Sequence, residues 1–264
     1  MTPLVLSNDQ IVSWVEALIL PLARVASLVI TAPVFGTQTV PKKIRIVFAF
    51  ALTLVIVPTL PPPPPVDPLS VDGLIAVFNQ VIIGSAMGFT LRLIFVAVEL
   101  GGQMVGQLMG LGFASLIDPQ NGMSVPIVAQ LYTFLVTLVY LSLDGHLMSL
   151  AALADSFRSL PVGPLGPAPE TWWDVAVWAG IILRGGLLIA LPMIGVLTLI
   201  NLAFAVATRA APALNIFSVG FPITLGAGLL IVIYTLPILA DQMGHLMRAA
   251  FDVVHSLSFS STKG

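Results

Sequence analysis

LIAVFNQVIIGSAMGFTLRLIFVAV, residues 74–98, carries one charge, Arg92. An α-helix needs roughly 20 apolar residues to cross the hydrocarbon core of a bilayer, so this stretch reads as a membrane helix. Further apolar runs flank it at about 11–35, 44–60, 125–143, 175–200 and 219–240; 44–60 is the shortest. Hydrophobic residues make up 58% of the chain and charged residues 8%, with mean hydropathy +1.05. A soluble domain carries roughly 25% charged residues. The fold class expected is all-α: an integral-membrane helical protein, a single membrane domain over residues 1–264. The gaps between runs are too short for a soluble domain.

Composition also removes whole classes of chemistry. The chain has no cysteine, so it has no disulfide framework, thiolate metal site or cysteine nucleophile. Its net charge of −2 gives no basic surface for nucleic acid. His146, His245 and His255 have no second ligand at metal-binding spacing. No nucleophile elbow, P-loop or dinucleotide fingerprint is present. Asp144-Gly145-His146 reads as a turn at a helix end with a capping Asp. No enzyme, cofactor or metal is expected.

Lys42, Lys43 and Arg45 cluster between the first two runs, whereas the loop at 61–72 carries Asp67 and Asp72 and no Lys or Arg. Cytoplasmic loops collect positive charge. Loop 36–43 is therefore expected in the cytoplasm, with the N-terminus and the Pro-rich loop outside. Arg209 fits this alternation and Arg158 opposes it. Asp9 and Glu16 stand where a secretory signal would be basic, so the first run reads as a retained segment.

Pro61 to Pro65 and the prolines at 161–169 read as stiff spacers. Trp172 and Trp173 read as boundary aromatics. Pro21, Pro33, Pro126, Pro192, Pro222 and Pro237 lie in or at the edges of apolar runs. Each removes a backbone donor, and the freed carbonyls need protein or water in lipid. Kinked helices wrapped against other protein are expected. Residues 146–160 read as amphipathic, with Leu147, Leu150, Ala154 and Phe157 on the apolar face. A C-terminal amphipathic helix is expected over 241–259, its stripe running from Met243 through Leu246, Met247, Ala250, Phe251 and Val254 to Leu257. Asp241–His245 and Arg248–Asp252 are i,i+4 pairs on its polar face.

Glu16, Arg24, Arg92 and Arg184 are charges inside apolar runs, costly at mid-bilayer. Glu16 and Arg24 lie two helical turns apart and are expected to share a polar interface. Arg184 has no carboxylate in its run and is expected to be buried against a partner subunit. Between the third and fourth runs lies ELGGQMVGQLMGLGFASLIDPQNG, residues 99–122. Gly102, Gly106 and Gly110 are spaced by four, flanked by Gly101 and Gly112. On a helix they form a smooth face that admits another backbone, at roughly 1 kcal/mol of helix propensity each. Met104, Met109 and Phe113 add adaptable apolar bulk. This is a helix-packing motif or a deformable pore plug over 101–114. Gly84 and Gly88 read as packing glycines.

Ala32-Pro33-Val34-Phe35-Gly36, Gly101-Gly102-Gln103, Gly110-Leu111-Gly112-Phe113-Ala114, Asp118-Pro119, Asp144-Gly145-His146 and Arg209-Ala210-Ala211-Pro212-Ala213-Leu214-Asn215-Ile216-Phe217 occur in order, followed by Gly220-Phe221-Pro222. Together they resemble the FliR family, the flagellar biosynthetic proteins of the type III export gate, and its injectisome homologues. The resemblance implies a structural and gating subunit of a flagellar export channel. It implies assembly with FliP and FliQ, with FlhB associating, and exported flagellar proteins as cargo. It implies the bacterial inner membrane at the basal body, with protrusion to the periplasmic side. It also matches 101–114 to the plug of the closed pore and bends the helices away from simple crossings. Arg184, Arg209 and Asn215 are the polar groups expected at subunit contacts, with a break near Pro212 held by the Asn215 amide. The alternative is a stand-alone secondary transporter with a midplane substrate site. It predicts internal repeats, and none are found in the sequence.

Overall fold

A computed structural model describes residues 8–37, 39–60, 70–112, 127–163, 166, 169–210 and 219–259, the side chains of 8–16 and 257–259 excepted. The elements are α1 (Asn8–Thr31), α2 (Lys42–Ile56) with a 3₁₀ turn at Val57–Thr59, α3 (Val71–Leu108), α4 (Ile127–Ser142), α5 (Gly145–Ser159), α6 (Pro169–Trp178), α7 (Ile181–Ala210) and α8 (Phe221–Phe259). No strand occurs among the described residues, and the fold is all-α, as the composition requires.

Length and apolarity qualify three segments as membrane spans: Val71–Leu108, Pro169–Ala210 and Phe221–Ser256. A fourth arises if α4 and α5, bent by 63° at Leu143–Asp144, act as one broken span. The first run forms α1, 24 residues long, whose fully described part is the apolar helix Ala17–Thr31, and the second gives α2. Pro21, Pro192 and Pro237 sit inside helices. Pro222 falls in the first turn of α8, where its missing N–H has no helical partner to lose. Pro126, the 61–69 spacer and, in the second connector, Pro164 and Pro167 lie outside the described residues.

Tertiary contacts sort the chain into two compact units. The first comprises residues up to Arg92, Asp144–Ala179 and those from Ala249. It holds α1, α2, the first part of α3, α5, α6 and the end of α8. Here Gly84 and Gly88 let α3 approach α1: a methyl on Gly84 would strike Ser27 Oγ and the Arg24 carbonyl, and one on Gly88 would strike Thr31 Oγ1. Both are packing glycines, as the sequence suggested. Ser27 and Thr31 turn their hydroxyls back to Arg24 O at 2.9 Å and Ser27 O at 2.7 Å, so these buried groups need no water. Phe35 stacks on Phe48 at 5.2 Å, and Trp178 Nε1 donates to Thr90 O at 3.1 Å.

The buried face of α5 differs from the one expected. Leu147 is exposed, while Ser149, Ala152, Leu153, Ser156 and Phe157 are buried. Ser149 Oγ donates to Gly145 O and Ser156 Oγ to Leu153 O, each at 2.7 Å. A serine that satisfies itself on its own helix packs like a small apolar residue, which a polar/apolar reading of the sequence misassigns. Asp144 precedes α5 with φ 55°, a left-handed turn, but makes no side-chain capping bond.

The second unit comprises Leu93–Leu143 and Gly180–Arg248: the end of α3, with α4, α7 and most of α8. Residues 241–259, expected as a separate helix, continue α8 without a break. The stripe expected there is real. Met243, Leu246, Met247, Ala250, Phe251 and Val254 are all buried, and Asp241, His245, Arg248, Asp252 and His255 are exposed. Arg248 reaches His245 Nδ1 at 3.2 Å, a contact the two i,i+4 pairs did not anticipate.

Candidate functional site

The glycine-rich stretch is the densest feature of the second unit. Its first part continues α3 to Leu108, well past the apolar run, and the site is built there. A methyl on Gly101 would lie 3.0 Å from Gly186 O and 3.1 Å from Ile189 Cγ2, both on α7. On Gly102 it would lie 2.6 Å from Ala129 Cα, on α4. Gly106, one turn on, faces Val128 of α4 at an ordinary 3.7 Å. Gly102 and Gly106 therefore share the smooth face expected of them, and Gly101 opens a second one toward α7. Adjacent residues on a helix point about 100° apart, so two neighbouring glycines admit two neighbouring helices.

The partner on α7 is also glycine. A methyl on Gly186 would meet Ala97 O at 3.0 Å, and one on Gly185 would meet Ala97 Cβ at 3.2 Å. The sequence reading passed over this pair because attention fell on Arg184 beside it. Gly185-Gly186 inside a Leu/Ile run carried the same signal as Gly101-Gly102.

Gly110 does not continue the smooth face. It adopts φ 81° and ends the helix. Its N–H donates to Gln107 O and that of Leu111 to Gly106 O, each at 3.0 Å. These 5→2 and 6→1 bonds make a Schellman cap, whose left-handed residue is usually glycine. Asn201 of α7 adds a side-chain donor to Leu108 O at 3.4 Å. Gly110→Val should therefore unwind the last turn of α3, at about 1–2 kcal/mol for the left-handed residue. Amide exchange of Met109 and Leu111, whose N–H groups are bonded at 3.0 Å, should quicken in step. Unchanged protection at both would refute the capping role.

Met109 is fully buried and presses on Gly228 of α8, where a methyl would come 2.5 Å from Met109 Cγ. Met104 is half-buried, and among the described residues nothing lies within 4 Å of a methyl placed on Gly112. Phe113 and the rest of the segment lie outside the described residues. Tyr132 of α4 is buried with its hydroxyl 3.4 Å from Met193 Sδ of α7.

The intramembrane charges separate into two kinds. Arg184 is exposed, and because the fifth run breaks at Ala179–Gly180 it falls in the first turn of α7. It is not deep in a helix. Arg209 is exposed in the last turn of α7, where a cation suits the helix dipole. Asn215 and the expected break at Pro212 lie outside the described residues.

Arg24, in the first unit, is wholly buried. Its Nε donates to Gln80 Oε1 at 2.8 Å, one terminal nitrogen to Ser156 O at 2.8 Å and Ser156 Oγ at 3.2 Å, and the other to Leu160 O at 2.8 Å. The guanidinium lies 4.3 Å from the Phe157 ring centroid, within cation–π range. Every acceptor is neutral. Among the described residues, compensation comes from the C-terminal carbonyls of α5, the negative end of that helix; the side chain of Glu16, expected to share a polar interface with Arg24, lies outside the described residues. Gln80 Nε2 is buried without a partner among the described residues. Among those residues no group of three or more His, Asp or Glu could hold a metal. The built parts are packing surfaces, a helix stop and a buried cation clamp.

The chain matches the bacterial export proteins, family 1, over residues 15–250. It is 34% identical over 248 residues to the flagellar biosynthetic protein FliR of Escherichia coli (strain K12), covering 94% of this chain and 95% of the relative. To FliR of Pectobacterium carotovorum subsp. carotovorum it is 35% identical, covering 95% and 96%. To FliR of Aquifex aeolicus (strain VF5) it is 31% identical, covering 89% and 91%. The chain belongs to this export family, the FliR proteins of flagellar biosynthesis.

Proposed function

We propose that this protein is a structural and gating subunit of the flagellar type III protein export channel, assembling in the bacterial inner membrane with FliP and FliQ. FlhB associates with that core, and flagellar proteins are the cargo. The observation that carries the assembly reading is a contrast in burial. In the apolar window of α3, 67% of residues are buried within the chain, against 22% for the windows of α6–α7 and of α8. One apolar helix has its neighbours already. The others leave Leu183, Leu187, Leu191, Leu199, Leu202 and Leu230 exposed, a surface that packs on other helices or on lipid.

The gating reading rests on the second half of the glycine stretch. Residues 101–108 are fixed by contacts to α4 and α7, so they serve as an anchor. α3 stops at Gly110, and within the stretch 101–114 we place the blocking part beyond the packed turns, with Phe113 in it. Arg184, Arg209 and Asn215 contact neighbouring subunits.

Co-expression with FliP-like and FliQ-like proteins tests the assembly reading. The chain should co-purify with both, and expressed alone it should be degraded or aggregate. A monodisperse monomer with full helix content that binds neither would refute it. Within the assembled complex, the plug is tested by deletion beyond the cap of α3. Deletion of 112–114, which keeps the cap at Gly110 and Leu111, should leave co-purification intact and make membranes permeable to small ions; a tight membrane refutes the plug.

A further inference from the structure

A groove of about 240 Å³ opens in the first unit between α1 and α2, lined by Ala26, Ile30, Lys42, Arg45, Ile46 and Ala49. Small-molecule pockets run about 300–1,000 Å³. This one is smaller, roughly eight liquid-water volumes, and suits a segment of a hydrocarbon chain better than a whole cofactor. Ile30 and Ile46 at its edge are 56% and 68% exposed, so an apolar occupant would extend onto an apolar surface.

Its charged members are Lys42 and Arg45, and Lys43 stands beside them, exposed. None of the three pairs with a carboxylate among the described residues. Arg45 Nε is engaged by Val40 O at 3.1 Å, which holds the guanidinium in place and leaves its terminal nitrogens for an outside acceptor. The nearest acidic residues in sequence are Glu16 and Asp67. The cavity is thus apolar throughout: Lys42 and Arg45 line it with their carbon stems and hold their charges outside its apolar lining, at the start of α2, with no carboxylate paired to them among the described residues. By the positive-inside rule the same cluster belongs at the cytoplasmic leaflet, where anionic lipids concentrate.

We propose that this groove binds an anionic phospholipid of the cytoplasmic leaflet. Its phosphate lies at Lys42 and Arg45, and part of one acyl chain runs along Ala26, Ile30, Ile46 and Ala49. Arginine and lysine are the side chains that bind phosphate oxygens. A fully apolar partner helix would leave both cations without an acceptor, which disfavours it as the occupant. The proposal rests on the assembly reading only for the complex in which it is tested.

The test uses the full chain in its assembled complex, exchanged in mild detergent against phosphatidylglycerol or phosphatidylcholine, with retained lipid counted by native mass spectrometry. Phosphatidylglycerol should be retained roughly tenfold or more over phosphatidylcholine, as two near-surface cations imply. The double variant Lys42→Gln, Arg45→Gln should reduce that ratio to near unity. Ile46→Trp keeps both charges but fills the groove, and should lower retention of both lipids. If the double variant loses helix content by circular dichroism, Ile46→Trp decides alone. Equal retention of the two lipids by the unaltered chain overturns the proposal. So does displacement of phosphatidylglycerol by inorganic phosphate alone, or a photo-crosslinker at Ile46 that captures a polypeptide and no lipid.

Discussion

Arg24→Met should lower the stability of the chain by about 3 kcal/mol and reduce its amount in membranes several-fold. Methionine approximates the volume of the arginine stem and donates nothing. Ser156 O, Leu160 O and Gln80 Oε1 would lose their bonds from Arg24, and Ser156 Oγ would lose a donor. Ser156 O keeps the Leu160 N–H at 2.9 Å, so the orphaned acceptors are Leu160 O and Gln80 Oε1; a buried polar group left unpaired costs about 1–3 kcal/mol, which puts the pair at about 2–6 kcal/mol. An opposing effect is that the variant no longer desolvates a guanidinium. That relief is limited, because the cation already has four hydrogen bonds and an aromatic face, and the losses win. Arg24→Lys should lie between, since an ammonium keeps the charge and three donors but lacks the planar fork. Thermal unfolding in detergent orders the three proteins. A Met variant that melts with the unaltered chain shows that the clamp contributes nothing. Ser156→Ala in both backgrounds then separates the Oγ contact from the rest, because coupled residues depart from additivity.

Much of the architecture was legible in the sequence because the bilayer sets such coarse demands. Long apolar stretches had to be helices, and the heptad-like spacing of Met243, Met247, Ala250 and Val254 had to face protein. What escaped depended on partners distant in sequence. Arg24 was visible as a charge in an apolar run, but its acceptors are on Gln80 and at the end of α5, more than fifty residues away, and no local spacing points to them. Ser149 and Ser156 look polar yet pack inward, since hydroxyl-to-carbonyl bonds along a helix leave no trace in periodicity. The glycine stretch was located, but its two roles were merged. Gly102 and Gly106 permit approach while Gly110 ends the helix, and only a backbone angle tells these apart. Arg184 lies inside the span Pro169–Ala210, but the turn at Ala179–Gly180 puts it in the first turn of its own helix, which an unbroken apolar run does not reveal.

Gly102→Ala and Gly106→Ala should have opposite signs, although they sit one turn apart on the same face. Each exchange gains about 1 kcal/mol of helix propensity. At Gly106 the new methyl finds Val128 at 3.7 Å, an ordinary contact, so the gain survives and the variant is as stable as the parent or more so. At Gly102 it would sit 2.6 Å from Ala129 Cα and 3.1 Å from Ala129 N. Those are backbone atoms, which no rotamer change can move. α4 must shift bodily, and overpacking of this kind costs about 1–3 kcal/mol or more. The displacement also disturbs Tyr132, which follows Ala129 by one turn and is buried against Met193. A net loss of about 2 kcal/mol is expected, rising with Gly102→Val as a second carbon layer enters. Melting temperatures of both alanine variants, with co-purification of the partner subunits, measure this. Two equally tolerated alanines would mean that α3 and α4 do not meet backbone to backbone, and the anchor on which the plug reading depends would be lost.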